Sequence, residues 1–135
     1  MQRGDVMDGE IFVFGSNLAG RHGAGAAKYA AQHYGAVYGV GEGRTGNAYA
    51  IPTKDKYLKT MHIDDVRDAI ARFCRYAECH PEYRFLLTPV GTGLAGFPIA
   101  LIWDAFYCSG LPKNVALASS WITDSGTYRL QSGVA

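Results

Sequence analysis

A chain of 135 residues, 48% of them hydrophobic and 19% charged, fits one domain with a buried core and is too apolar to be a disordered tail. A formal net charge of +1 argues against a broad nucleic-acid-binding surface, while leaving room for a local basic pocket. No run nears the ~20 apolar residues that span a bilayer, and Met1-Gln2-Arg3-Gly4-Asp5 carries no apolar signal core, so a cytoplasmic protein with no membrane partner is expected.

Ile11-Phe12-Val13-Phe14 is β-branched and aromatic and too short for a helix, hence a buried strand. Residues 24–34 are rich in alanine and end before Gly35, the pattern of a helix. Residues 48–51 read as a second strand, stopped by Pro52. Ile63, Val66, Ile70, Phe73, Cys74 and Ala77 recur at helical spacing. Asp64 and Asp65 sit in that helix's first turn, and Asp68 is placed to pair with Arg72 four residues on. Residues 83–90 give a third strand. Pro98 opens a helix with Ile99, Ile102, Trp103, Phe106 and Tyr107 on its apolar face, ending near Gly110, and residues 115–118 form a fourth strand. The tail, residues 119–135, could add an edge strand around Tyr128.

Alternating strands and helices predict a single α/β domain over residues 1–135, with a mostly parallel sheet covered on both sides. Cys74, Cys79 and Cys108 are odd in number and lack metal-ligand spacing; Cys74 and Cys108 fall on apolar helix faces and read as buried thiols. His22, His33, His62 and His80 cluster with neither cysteines nor acids, so neither a metal nor a cofactor is expected.

In parallel sheets, ligands gather outside the carboxyl ends of the strands. That rim would hold Gly15-Ser16-Asn17, the loop Gly23-Ala24-Gly25-Ala26, Pro52-Thr53-Lys54-Asp55 and a second loop, Gly91-Thr92-Gly93-Leu94-Ala95-Gly96. The polar, glycine-rich residues 39–47 could fold over it. Each glycine loop follows a strand and precedes a helix. Glycines let backbone N–H groups approach an anion, and a helix start adds unpaired donors and the positive end of its dipole. One such loop could be a tight turn and nothing more; two at corresponding positions favour a diphosphate ligand.

Taken together, Gly4-Asp5-Val6, Gly15-Ser16-Asn17, His22-Gly23-Ala24-Gly25-Ala26-Ala27 with His33-Tyr34-Gly35, Ile51-Pro52-Thr53-Lys54 and Val90-Gly91-Thr92-Gly93-Leu94-Ala95-Gly96-Phe97-Pro98 resemble the macrodomain family. They are most similar to its terminal ADP-ribose protein glycohydrolase branch. The resemblance runs in the same order from Gly4 to Ala118. It implies a three-layer α/β/α macrodomain that binds ADP-ribose or a related ADP-ribose-derived nucleotide. It places Asp5 at adenine and Lys54 at the catalytic-lysine position, and makes the residues from Gly91 to Phe97 the second phosphate loop. One position departs: the branch has an aspartate immediately after Gly-Cys-Gly-Leu, where this chain has Ala95. The chain also starts only a few residues before Asp5, which implies a shortened or missing first strand.

Asn17 could bond a ribose hydroxyl or cap a turn. Arg21 could meet phosphate or stand exposed with no role, and His22 aligns with a variable position. Phe97 could stack on the ligand or pack under its loop. Tyr49, Tyr57 and Trp121 have no position fixed by the sequence. Lys54 could attack an opened ribose as a neutral amine, given an acid to move protons, or serve as a counter-charge to phosphate. Of the acids, Asp55 adjoins it on an extended segment, Asp104 lies down the following helix, and Glu42 sits in a loop; none is a convincing replacement. Two readings follow. One is a protein that binds ADP-ribose or a relative without turnover, favoured by Ala95. The other is an ADP-ribosyl glycohydrolase acting on a modified macromolecule with Lys54 as nucleophile. A dinucleotide-binding domain of another fold is a weaker third, because the first loop reads Gly20-Arg21-His22-Gly23-Ala24-Gly25 and not Gly-x-Gly-x-x-Gly.

Overall fold

Strand β1 (Glu10–Asn17) runs through the middle of a five-stranded sheet and is buried on both sides, which is why its apolar residues are continuous. The computed structural model describes residues 10–121; Gly4-Asp5-Val6 and the region of Tyr128 lie outside them. Helix α1 (Gly25–His33) follows β1, then β2 (Gly43–Thr45), β3 (Ala48–Lys54), α2 (Ile63–Cys79), β4 (Arg84–Leu87), α3 (Ile99–Ser109), β5 (Val115–Leu117) and a 3-10 turn (Ser119–Trp121). The order across the sheet is β2-β3-β1-β4-β5, parallel except for β2. The fold is therefore α/β with a mostly parallel sheet.

Alternation along β1 divides the core. Ile11 and Val13 share one cluster with Phe73 of α2, Phe85 of β4 and Phe106 of α3; Phe12 and Phe14 pack with Ala27 and Ala30 of α1. Each buried Val, Ile or Phe contributes about 1.5–3 kcal/mol. Trp121 is fully buried in the first cluster, and its Nε1 donates to the Leu87 carbonyl at 2.8 Å.

Several expectations are corrected. Pro52 does not stop β3, which continues to Lys54. The β2 pairing ends at Ala50, so the Pro52 nitrogen, on the side turned away from β1, faces no partner strand and the missing N–H removes no ladder bond. Within residues 39–47, Gly43–Thr45 forms the antiparallel edge strand β2. The strand read as residues 83–90 is Arg84–Leu87, and the chain beyond leaves the sheet for the second glycine loop. Arg72 does not pair with Asp68: its guanidinium bonds both oxygens of Glu42, at 2.7 and 3.1 Å, which raises its pKa. Cys74 is buried as expected, whereas Cys108 is exposed. Asp64 in the first turn of α2 has its N–H capped by the His62 ring at 3.1 Å.

Among the described residues, no helix is long and apolar enough to cross a membrane, and no group of three His, Cys, Asp or Glu could hold a metal ion.

Candidate functional site

The strand order reverses at β1: the chain moves to β3 on one side, then crosses to β4 on the other. The carboxyl ends of these three strands diverge into loops on opposite faces, and a crevice opens between them. A cleft of about 960 Å³ lies there, bounded by Asn17, Lys54 and Thr88 at the strand ends and by both glycine loops. That is the upper part of the size range of small-molecule sites.

The first loop is set by β1. A bulge shifts the register between Ser16 and Asn17, and Leu18 N–H bonds the Lys54 carbonyl at 2.9 Å. The Asn17 side chain then clamps Arg21 from both sides: its Oδ1 accepts from the Arg21 N–H at 3.0 Å and its Nδ2 donates to the Arg21 carbonyl at 2.9 Å. Asn17 lines the cleft, but its amide shapes the loop. Ala24 enters α1 in an extended conformation with no side-chain cap, and the first turn holds no acid. The first i→i−4 bond joins Lys28 N–H to the Ala24 carbonyl, so the amides of Gly25, Ala26 and Ala27 have no acceptor among the described residues. Gly25 adopts φ +58°, a left-handed conformation that glycine takes without strain.

The second loop approaches β1 closely. A Cβ on Gly15 would stand 2.9 Å from the Gly91 nitrogen, so β1 and the loop can meet only because Gly15 has no side chain. Within the loop, Thr92, Gly96 and Phe97 donate to Pro89, Gly93 and Gly91 at 3.3, 3.0 and 2.9 Å. The amides of Gly93, Leu94 and Ala95 have no acceptor among the described residues. Two sets of free main-chain donors therefore border one cleft.

Among the described residues, Arg21 and Lys54 line the cleft as its cations, and no carboxylate lines it. Among the described residues no acid lies within ion-pair distance of Lys54. The acids weighed from sequence are engaged elsewhere. The Asp55 carboxylate caps its own turn, accepting from the N–H groups of Tyr57 and Lys59 at 2.8 and 3.0 Å. Glu42 holds Arg72, and Asp104 lies near the Cys108 thiol at 3.7 Å.

Of the expected ligand residues, Asn17, Arg21, Gly23, Ala24, Gly25, Ala26, Lys54, Gly91, Thr92, Gly93, Leu94 and Ala95 are brought together around the cleft. Asp5 lies outside the described residues. Gly96 and Phe97 do not line the cleft. Phe97 packs on the core, and its ring would be 3.1 Å from a Cβ on Gly91, so it props the loop from beneath. His22 is buried, with Nε2 3.1 Å from the Val37 carbonyl and its ring edge-on to Phe14.

Sequence reasoning did not single out Phe12, Tyr29, Tyr38, Leu58, Ser16, Thr53 or Thr88 as lining residues. Ser16 and Thr53 stand within segments assigned to the rim, so position at a strand end was a usable signal for them. Tyr38 and Leu94, 65% and 76% exposed, stand at the mouth of the cleft. Comparison with protein-family models, curated proteins and solved structures gave no match.

Proposed function

We propose that this chain is a macrodomain-like protein of three α/β/α layers that binds ADP-ribose, or a related ADP-ribose-derived nucleotide, through its two glycine loops without turning it over. The observation that carries this reading is one cleft bordered by free main-chain N–H groups from both loops, with two cations and no carboxylate among the described residues that line it. Free amides at a helix start and in a glycine turn are a device for phosphate. The clusters on the two faces of β1 support the layered architecture. The family assignment rests on the ordered motifs of the sequence. The free cysteines Cys79 and Cys108, both exposed, suit a reducing compartment such as the cytoplasm.

Binding without turnover follows from the acids. Opening a ribose and attacking it with an amine requires a group to move protons. Ala95 offers none, and Glu42, Asp55 and Asp104 are outside the cleft lining. The second reading, an ADP-ribosyl glycohydrolase with Lys54 as nucleophile, is favoured by one observation: Lys54 lines the cleft without an ion-pair partner among the described residues. Calorimetric titration with ADP-ribose, and chromatography after incubation with an ADP-ribosylated protein, separate the two. The expected result is saturable heat without released ADP-ribose. Release by the wild-type chain selects the glycohydrolase, and absence of heat rejects the nucleotide-binding reading.

A further inference from the structure

At Lys54 the chain doubles back in a tight hairpin. Lys54 and Thr60 form an antiparallel bridge, the Asp55 N–H bonds the Lys59 carbonyl at 2.7 Å, and the Leu58 N–H bonds the Asp55 carbonyl at 3.0 Å. The loop between Asp55 and Lys59 is therefore Lys56-Tyr57-Leu58. Hairpin loops of this length close through a residue in the left-handed conformation, which glycine adopts without strain. Here that residue is Leu58, with φ +65°, the one residue other than glycine in that region among the described residues. The Asp55 carboxylate helps to hold the turn, accepting from the N–H groups of Tyr57 and Lys59 at 2.8 and 3.0 Å. Thr60 Oγ1 ties the hairpin to the second glycine loop by donating to the Ala95 carbonyl at 2.9 Å. Packing does not account for the leucine. Leu58 is 40% exposed and belongs to neither core cluster, but it lines the cleft.

We infer that Leu58 is a ligand-contacting residue: the hairpin holds it in a strained conformation so that its side chain forms an apolar wall of the cleft, against an uncharged ring face of the ligand. The inference rests on the nucleotide-binding reading and deepens it by adding a wall that neither glycine loop supplies. Glycine would serve this turn better, and the core makes no use of the isobutyl group. The strain is explained by what the side chain does in the cleft. An apolar group offers an ionised phosphate no donor, so it gains nothing from that part of the ligand. Against the face of a sugar or base ring it removes apolar surface from water on both sides. The hairpin starts from Lys54 and is bonded to Ala95, so the wall is fixed relative to both the cation and the second loop.

The test compares the wild type with three variants, by thermal unfolding without ligand and by calorimetric titration with ADP-ribose. Leu58→Gly removes the side chain and the strain together. Leu58→Ala removes the side chain beyond Cβ and keeps the strain, and Leu58→Met keeps an apolar side chain of similar size. Leu58→Gly should raise the unfolding midpoint by about 2–5 °C. The same variant should bind ADP-ribose about fivefold or more weakly, because an apolar contact is lost. Leu58→Ala should lose as much affinity without the gain in midpoint, and Leu58→Met should bind within about twofold of the wild type. A stability that rises while affinity falls is the signature of a residue kept for its ligand. A glycine variant less stable than the wild type overturns the inference, because Leu58 would then support the turn. So does an alanine variant with wild-type affinity, or a methionine variant as weak as the alanine one. Those results, with a wild type that binds, leave the nucleotide-binding reading standing. A wild type that gives no heat with ADP-ribose rejects that reading and the inference with it.

Discussion

Gly93→Glu should abolish nucleotide binding by charge while leaving the fold intact. An added Cβ at Gly93 meets no atom within 4 Å, and its φ lies outside the left-handed range, so neither crowding nor strain opposes the substitution. A surface change of this kind typically alters stability by no more than about 0.5 kcal/mol. The carboxylate would sit on the loop whose Gly93, Leu94 and Ala95 amides are free. At ~5 Å from a bound phosphate and an effective dielectric of ~20, repulsion amounts to about 3 kcal/mol per unit charge, or more than a hundredfold in affinity. Gly93→Gln has nearly the same shape and no charge, so it isolates the steric part and should weaken binding by less than about tenfold. Raising the salt concentration to about 1 M shortens the screening length to ~3 Å and should narrow the gap between the two variants. Calorimetric titration of both variants with ADP-ribose is the assay. Equal affinities for the glutamate and glutamine variants would refute the placement of phosphate at this loop. Gly25→Glu, aimed at the other loop, should also abolish binding but is a less clean probe. Gly25 has φ +58°, where a side chain adds about 1–2 kcal/mol of strain.

Further outcomes are expected from the lysine, the missing acid and the core. Ala95→Asp returns a carboxylate to the cleft and should create release of ADP-ribose from an ADP-ribosylated protein, with acid–base help worth roughly 10²–10⁴-fold. Adding Lys54→Ala to that variant should remove the release, and an unchanged rate would rule out the lysine as nucleophile. Burial pushes the Cys74 thiol up to about 11 from an ordinary value of 9.0, so the folded state keeps its proton where the unfolded chain has lost it. Stability should therefore be unaffected by this group below pH 9 and fall as pH rises from 9 to 11, by about 1.4 kcal/mol at pH 10. Urea unfolding of the wild type and Cys74→Ala across that range should show a shallower decline in the variant, and parallel declines would refute the assignment. Trp121→Ala leaves a cavity beside Phe106 and removes one of the two donors to the Leu87 carbonyl, and should cost about 3–5 kcal/mol by the same method.

Elements made by their own residues were legible in the sequence, and those made by a partner were not. β1 announces itself because both its faces are buried, and α2 because Val66, Ile70, Phe73 and Ala77 all turn to one core. β2 has no such mark: Gly43-Arg44-Thr45 is a strand because β3 offers an edge. The partner of Arg72 was missed for a similar reason. Helical spacing favours Asp68, four residues away, whereas the bidentate contact comes from Glu42, thirty residues away. The passage through Pro52 depends on where β2 ends, which no local pattern states.

The cleft divides along the same line. Its location follows from strand ends and glycine loops, both readable in the chain, and most of the residues expected around it do surround it. Its chemistry depends on which hydrogen bonds are already made. Thr53 and Thr88 look in sequence like groups that can donate or accept, and the register between strands removes the first option by placing the Ser16 and Val13 carbonyls within reach. Among the donors that remain are main-chain amides of both loops, which no composition records. A formal charge of +1 therefore says little about anion binding here. Most of the attraction for phosphate would come from N–H groups left open at the start of α1 and in the second loop, with Arg21 and Lys54 adding charge at the edges.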